Sequence, residues 1–194
     1  MNHVLTSGPV WYLMRASGVV SLLLLTAVCA LGIATTTRLR AGNMPRFLTL
    51  GLHRSVSLLA VAFLAVHVLT AIADPDASVR AVSVVVPQLS DRYAFWLGFG
   101  ALALDLVIAL VVTSLLRHRL APRIWRAVHV LAYLAWPVAL LHGAGMGTDS
   151  SSAWMLTVDG VCIAAFGGAV ALRLLIAPSS ASKHLSPPRV GAAR

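Results

Sequence analysis

The chain has 194 residues, of which 59% are hydrophobic and 11% are charged, with a formal net charge of +9 and a mean hydropathy of +0.87. This composition excludes an ordinary soluble domain and indicates an integral membrane protein. The positive charges lie in short stretches between apolar runs, not along one polar face with interleaved aromatic residues, so nucleic acid is not an expected partner.

Five apolar runs succeed one another along the chain. Each is long enough to cross a hydrocarbon core of about 30 Å as a helix, and none alternates with the two-residue period of a barrel strand. The runs span about residues 11–35, 46–73, 94–116, 123–144 and 153–176. The first is too long for a signal-peptide core and its basic residues come after it, so we expect it to be retained. The sequence predicts an all-α integral membrane bundle of about five transmembrane helices in contact with lipid.

The Lys and Arg residues are distributed unevenly between the two sides of such a bundle. Of the 15, only Arg15, Arg80 and Arg92 fall on one side, and the positive-inside rule makes the other side cytoplasmic. We expect a multi-pass protein of the bacterial inner (plasma) membrane, with its N-terminus outside and its C-terminus in the cytoplasm. Residues 1–10 are then a short external N-terminus, 11–176 the transmembrane domain and 177–194 a disordered cytoplasmic tail.

Two of the runs each carry two widely spaced histidines. In LHRSVSLLAVAFLAVH, His53 and His67 are fourteen residues apart, and in WRAVHVLAYLAWPVALLH, His129 and His142 are thirteen apart. Both runs cross the membrane in the same direction, so His53 is expected level with His129, and His67 with His142. The two levels are about 20 Å apart along the helices.

Helical geometry treats the two spacings differently. Fourteen residues fall about 40° short of four full turns, so His53 and His67 share one helix face. Thirteen residues fall about 140° short, and an ideal helix would point His129 and His142 apart. Pro137 lies between them, and a proline inside a span can rotate the part of the helix beyond it.

A flat ligand held between two helices, with one imidazole on each face of an iron, fits this arrangement. We therefore predict two haem b groups, with His53 and His129 as the inner pair of iron ligands and His67 and His142 as the outer pair. Iron with both axial positions filled has no open site for oxygen, which favours one-electron transfer across the bilayer. A single intramembrane histidine often makes only a helix-packing hydrogen bond, but four at paired depths favour a common ligand.

Three arginines lie close to the histidine levels. Arg54, Arg126 and Arg15 are candidates for binding haem propionates, because guanidinium suits a carboxylate bidentately. The alternative is snorkelling to the interface, and for Arg15 a partner contact also remains open.

The other polar or reactive residues inside the runs favour structural roles. Asp105 and Asp159 are either proton relays or neutral carboxyls that hydrogen-bond to Ser, Thr or backbone, and we favour the second. Cys29 and Cys162 have no CxxC spacing and are expected to be small buried residues.

The histidine spacing resembles that of the ferric reductase-like transmembrane domain. This family is shared by ferric reductases, NADPH oxidases and the haem subunit of bacterial periplasmic methionine sulfoxide reductase. The RASG of the first run, the LHR at His53 and the WRxxH that ends at His129 are similar as well, and the resemblance covers about residues 11–176. It implies an inner haem on His53 and His129 and an outer haem on His67 and His142.

The electron donor and acceptor are not written in the sequence. Family members with their own reductase domain carry a flavin- and nicotinamide-binding region, and no Gly-rich dinucleotide fingerprint occurs here. We therefore expect electrons from a separate cytoplasmic flavoprotein reductase, a bound flavin such as FMN, or a quinol. The external acceptor is then ferric iron, a periplasmic redox partner or oxygen.

Two other function classes compete with a haem oxidoreductase subunit. The first is a divalent-metal or proton transporter whose histidines line a path, although such sites usually combine imidazole with carboxylates. The second is a non-catalytic membrane anchor subunit. Haem content separates the transporter from the oxidoreductase, and reduction by a donor separates the anchor from it.

Overall fold

The protein is described here from a computed structural model, which describes residues 8–36, 46–74, 94–147 and 149–176. These residues form six helices and, within these ranges, no strand. The helices are α1 (Pro9–Thr36), α2 (Arg46–Ala73), α3 (Ala94–Leu115), α4 (Pro122–Val130), α5 (Ala132–Met146) and α6 (Ala153–Ile176).

Among the described residues, five segments are long and apolar enough to cross a membrane, with α4 and α5 together forming the fourth. The predicted all-α membrane bundle is thereby confirmed, and each predicted run lies within about two residues of its segment. The predicted tail, residues 177–194, and most of the external N-terminus, residues 1–7, lie outside the described residues.

Helix α1 is the centre of the packing. It packs most extensively on α2 and also contacts α5 and α6, whereas α3 packs on α5 and α4. The buried core between α1, α5 and α6 contains Leu22, Cys29, Trp136 and Cys162. Both cysteines are free and buried, as expected.

Trp136 ties this core together with polar as well as apolar contacts. Its side chain is only 4% exposed, and its ring stacks on that of Phe166 at 4.1 Å between centroids. Its Nε1–H donates to the Thr26 hydroxyl at 2.7 Å. A buried indole N–H needs such a partner, above all where lipid replaces water.

The fourth span is interrupted at Leu131, between α4 and α5. The Leu131 N–H donates to the carbonyl of Val128 at 2.9 Å, three residues back, as in a 3₁₀ turn. Such a turn adds about 20° per residue to the rotation of an α-helix. The interruption lies between His129 and His142, and Pro137 comes after it, inside α5. Leu131 therefore contributes rotation that the sequence alone attributes to the proline.

Candidate haem site

The structure brings the four histidines of the second and fourth spans together as two facing pairs. The ring centroids of His53 and His129 are 6.4 Å apart, with planes inclined at 67°. Those of His67 and His142 are 6.3 Å apart, with planes inclined at 78°. The histidines that face each other are those expected to lie at the same depth in the membrane. Their role as iron ligands stays a prediction.

Both separations match two imidazoles on opposite sides of one metal atom. An imidazole nitrogen binds a metal at about 2.0–2.1 Å and lies about 1.2 Å from its ring centre, so such a pair has centroids about 6.4 Å apart. Two imidazoles joined by a direct hydrogen bond would lie closer, whereas edge-to-face aromatic contact covers the same range of centroid distances. The spacing therefore suits a single atom held between each pair.

Three of the four rings are oriented by a backbone carbonyl. Nδ1 of His53 lies 3.1 Å from the carbonyl oxygen of Val28, Nδ1 of His67 lies 2.9 Å from that of Met14, and Nδ1 of His142 lies 3.0 Å from that of Trp96. A carbonyl only accepts, so Nδ1 carries the proton and Nε2 keeps its lone pair. A histidine that binds a metal through Nε2 has this same tautomer, with its Nδ1–H donated to a nearby acceptor of the protein.

Each of these three rings lies against a glycine on the neighbouring helix. A Cβ would lie 2.9 Å from His67 Nδ1 at Gly18, 3.4 Å from His53 Cε1 at Gly32, and 2.6 Å from His142 Cε1 at Gly100. In every case the glycine lies four residues after the accepting carbonyl, on the same helix face. The missing Cβ lets the ring reach the carbonyl, and we call this arrangement a glycine notch.

The notches of α1 have the same spacing as the histidines of α2. Gly18 and Gly32 are fourteen residues apart, as are His53 and His67. Since α1 and α2 run antiparallel, Gly18 faces His67 while Gly32 faces His53. These glycines are not among the residues predicted from the sequence, although the matching intervals are visible in it.

His129 is supported differently from the other three histidines. Its ring stacks on that of Trp125 at 4.7 Å and 19°. Its buried Nδ1 has no hydrogen-bond partner among the described residues, and the same holds for Nε1 of Trp125. The inner pair therefore has one ring fixed by a carbonyl and one fixed by stacking.

The outer pair has an ion pair close by. Arg15 donates to the Asp149 carboxylate at 2.5 Å, and its guanidinium lies 4.5 Å from the Trp11 ring centroid. Arg15 comes directly after Met14, whose carbonyl holds His67. This contact links the N-terminal end of α1 to the turn between α5 and α6.

The two arginines of the inner side are exposed. Arg54 comes after His53 on α2, and Arg126 precedes His129 by three residues on α4. The Arg126 Nε–H donates to the carbonyl of Pro122 at 3.2 Å, which leaves its terminal nitrogens for other acceptors. Neither arginine is joined to a carboxylate within the described parts of the chain.

The carboxylates of the spans do not join the histidines. Asp105 is exposed on α3, and the buried Oδ1 of Asp159 lacks the expected hydrogen bond among the described residues. No group of three or more His, Cys, Asp or Glu side chains there could hold a metal ion. The histidine pairs offer two ligands each, which is the number that an iron porphyrin needs at its axial positions.

The sequence model of one family, described as "Ferric reductase like transmembrane component", matches residues 17–140. The chain belongs to this family. No curated protein and no solved structure matches the chain. The matched segment contains His53, His67 and His129 and ends two residues before His142. Membership indicates a membrane component of electron transfer in a family that generally binds haem.

Proposed function

We propose that the protein is the haem-binding membrane subunit of an oxidoreductase and holds two haem b groups, on the inner and the outer histidine pair. The proposal rests on two pairs of facing imidazoles at two depths. In each pair the ring centroids have the separation expected for two ligands of one metal atom. Bound haem would supply a one-electron carrier at each level.

The chain's own residues support this function in three ways. The carbonyl partners hold three imidazoles in the tautomer that keeps the Nε2 lone pair. The glycine notches remove side chains that would push the rings away. All four histidines lie in segments apolar enough to span a membrane, and a surrounding of low dielectric constant strengthens the polar contacts of a ligand set.

The arginines have different proposed roles on the two sides. The exposed arginines of the inner side suit the propionates of the inner haem, because guanidinium binds a carboxylate bidentately. Arg54 adjoins His53, and Arg126 lies one turn before His129. For Arg15, the ion pair with Asp149 favours support of the outer pair. We therefore propose direct propionate contact for the first two and an indirect role for the third.

We propose that electrons pass from the cytoplasm outward, an orientation based on the excess of positive residues on one side of a bacterial inner membrane. The donor in this proposal is a separate cytoplasmic flavoprotein or a quinol, with a bound FMN or quinone as a further option. The acceptor is a periplasmic redox partner, ferric iron or oxygen.

Haem extraction and a reduced-minus-oxidised visible spectrum of the purified protein test the proposal. We expect about two haem b per chain and a low-spin spectrum of bis-imidazole type. Absence of haem from folded protein supplied with it during expression would refute the proposal and lead to metal-binding assays on the same histidines. Two haems that no flavoprotein or quinol donor reduces would favour the membrane anchor.

A further inference from the structure

The turn between α3 and α4, together with the start of α4, concentrates positive charge. Four arginines and one histidine occur within residues 117–126, and no acidic residue occurs between Asp105 and Asp149. We call residues 117–126 the arginine turn. Its arginines, all of them exposed, are Arg117, Arg119, Arg123 and Arg126. No carboxylate of this segment of the chain balances their charge.

Backbone hydrogen bonds hold the arginine turn in a defined shape. The N–H of Leu116 donates to the carbonyl of Val112 at 2.9 Å, and the N–H of Arg119 donates to the carbonyl of Leu116 at 2.8 Å. Arg117 and Arg119 both come after the last residue of the membrane-spanning segment α3. Their charges therefore lie beyond the end of the span, on a turn that is already ordered.

The arginine turn leads directly into the inner histidine pair. It includes Trp125, whose ring stacks on that of His129 at 4.7 Å between centroids. Arg123 precedes His129 by six residues, which is about 9 Å along the helix. A protein bound to this turn would therefore lie next to the inner level and not next to the outer one, which is about 20 Å further along the span.

We propose that the arginine turn is the docking surface for the electron donor, and that this donor is a soluble protein with an acidic docking face. This inference rests on the proposed function. Complementary charge steers two proteins together and orients them on contact. A quinol is uncharged and would gain nothing from the arginines, so the inference selects the flavoprotein among the proposed donors.

The other charged occupant to consider is an anionic lipid surface. Topology alone explains an excess of positive residues on this side of the membrane. It does not require them to gather on one ordered turn beside a candidate iron ligand. Lipid headgroups surround every span, whereas a donor must approach the inner level, so the position of the turn favours a protein.

The experiment measures binding of oxidised flavodoxin, a soluble acidic FMN protein, to the complete protein in nanodiscs of uncharged phosphatidylcholine. Oxidised flavodoxin transfers no electron, so its binding can be measured whether or not haem is present. We expect the double substitution Arg117→Gln and Arg119→Gln to weaken binding about tenfold at low salt. The difference should vanish near 1 M salt, where charges are screened beyond about 3 Å.

Arg38→Gln with Arg40→Gln is the matched control. These two arginines have the same two-residue spacing, and the sequence predicts them on the same side of the membrane. Their substitution removes the same charge outside the turn and should change the affinity less than about twofold. Arg117→Lys with Arg119→Lys keeps the charge of the turn, so it should bind flavodoxin like the wild type.

Several outcomes would overturn the docking surface. They are absence of flavodoxin binding to the wild type, equal weakening in the two glutamine variants, or lysine variants that bind as weakly as the glutamine ones. Unchanged binding in the glutamine variant of the turn, with loss of phosphatidylglycerol that the wild type retains through purification, would assign the turn to lipid instead.

Haem content of the same preparations separates this inference from the proposed function. Binding that depends on the turn in a protein without haem would refute the haem sites and leave the docking surface standing. Two haems per chain without such binding would leave the haem sites standing and refute the docking surface.

Discussion

The outer and the inner histidine pair use the same two spans but different supports. In the outer pair both rings are anchored to backbone carbonyls, Met14 for His67 and Trp96 for His142. In the inner pair, within the part of the chain that the structure describes, only His53 has such an anchor. Two sites with the same ligand type on the same two spans therefore differ in how firmly their rings are held.

The contrast extends to the surroundings of each pair. The Trp96 ring packs against Gly145 of α5, where a Cβ would lie 2.0 Å from the ring. This contact restrains Trp96, whose carbonyl accepts from His142. For His129, in contrast, the interruption at Leu131 comes only two residues later. A ligand already held in place loses less conformational freedom on binding, so we expect the outer site to bind haem more tightly.

The largest effect that separates the pairs should come from removing one histidine of each. His67→Ala should eliminate the outer haem and leave the inner spectrum, whereas His53→Ala should do the reverse, so that each variant retains about one haem per chain. Haem extraction and difference spectra are the measurements. Loss of both haems from each variant, or loss of neither, would contradict the assignment of ligands to two pairs.

A smaller but more specific effect is expected at the notches. In Gly100→Ala the new Cβ would lie 2.6 Å from His142 Cε1, so the ring must shift, whereas in Gly32→Ala it would lie 3.4 Å from His53. Residues that hold a metal ligand in place without binding the metal contribute about 10–100-fold in metal affinity. We expect Gly100→Ala to weaken haem binding at the outer site within that range, measured by haem titration of the apoprotein.

Gly32→Ala serves as the control for the same change in helix propensity. It should weaken haem binding at the inner site only slightly, because the His53 ring needs to move by no more than a few tenths of an ångström. A larger loss at Gly32 than at Gly100 would show that clash distance does not govern these sites.

The smallest effect should come from Asp149→Asn, which removes the charge that pairs with Arg15. Their side chains are 43% and 17% exposed, and such pairs contribute no more than about 1 kcal/mol. We expect the outer affinity to fall less than about fivefold, with the inner site unchanged, by the same titration. Asp149→Glu keeps the charge and should restore most of the loss; an equal fall at both sites would contradict a local role.

Much of the fold could be predicted because a bilayer permits few alternatives. Apolar runs of sufficient length must become helices whose backbones satisfy their own hydrogen bonds, and the five spans and the family resemblance are confirmed. The depth matching of histidines needed only the rise per residue. His142 shows the value of depth matching, since it lies beyond the segment that the family model matches.

The remaining features depend on packing between helices, which periodicity does not report. The position of the interruption at Leu131 and the partner of Arg15 arise from tertiary contacts. The notches are an intermediate case. Gly18 and Gly32 repeat the interval of the histidines, so comparing intervals between neighbouring spans would have found them, but only once their antiparallel pairing was known.

Because main-chain oxygens anchor the histidines, the side chain of the accepting residue does not specify the anchor. The glycine four residues later does. Any amino acid at positions 14, 28 or 96 supplies a carbonyl, so a substitution scan should find those positions tolerant on this account. Intolerance should appear four residues later, at glycines that make no side-chain bond themselves, and most strongly at Gly18 and Gly100, where a Cβ would lie 2.9 Å and 2.6 Å from a histidine ring. A search for similar sites in other membrane chains would therefore compare glycine intervals on one helix with histidine intervals on the next, without reference to the acceptor residue.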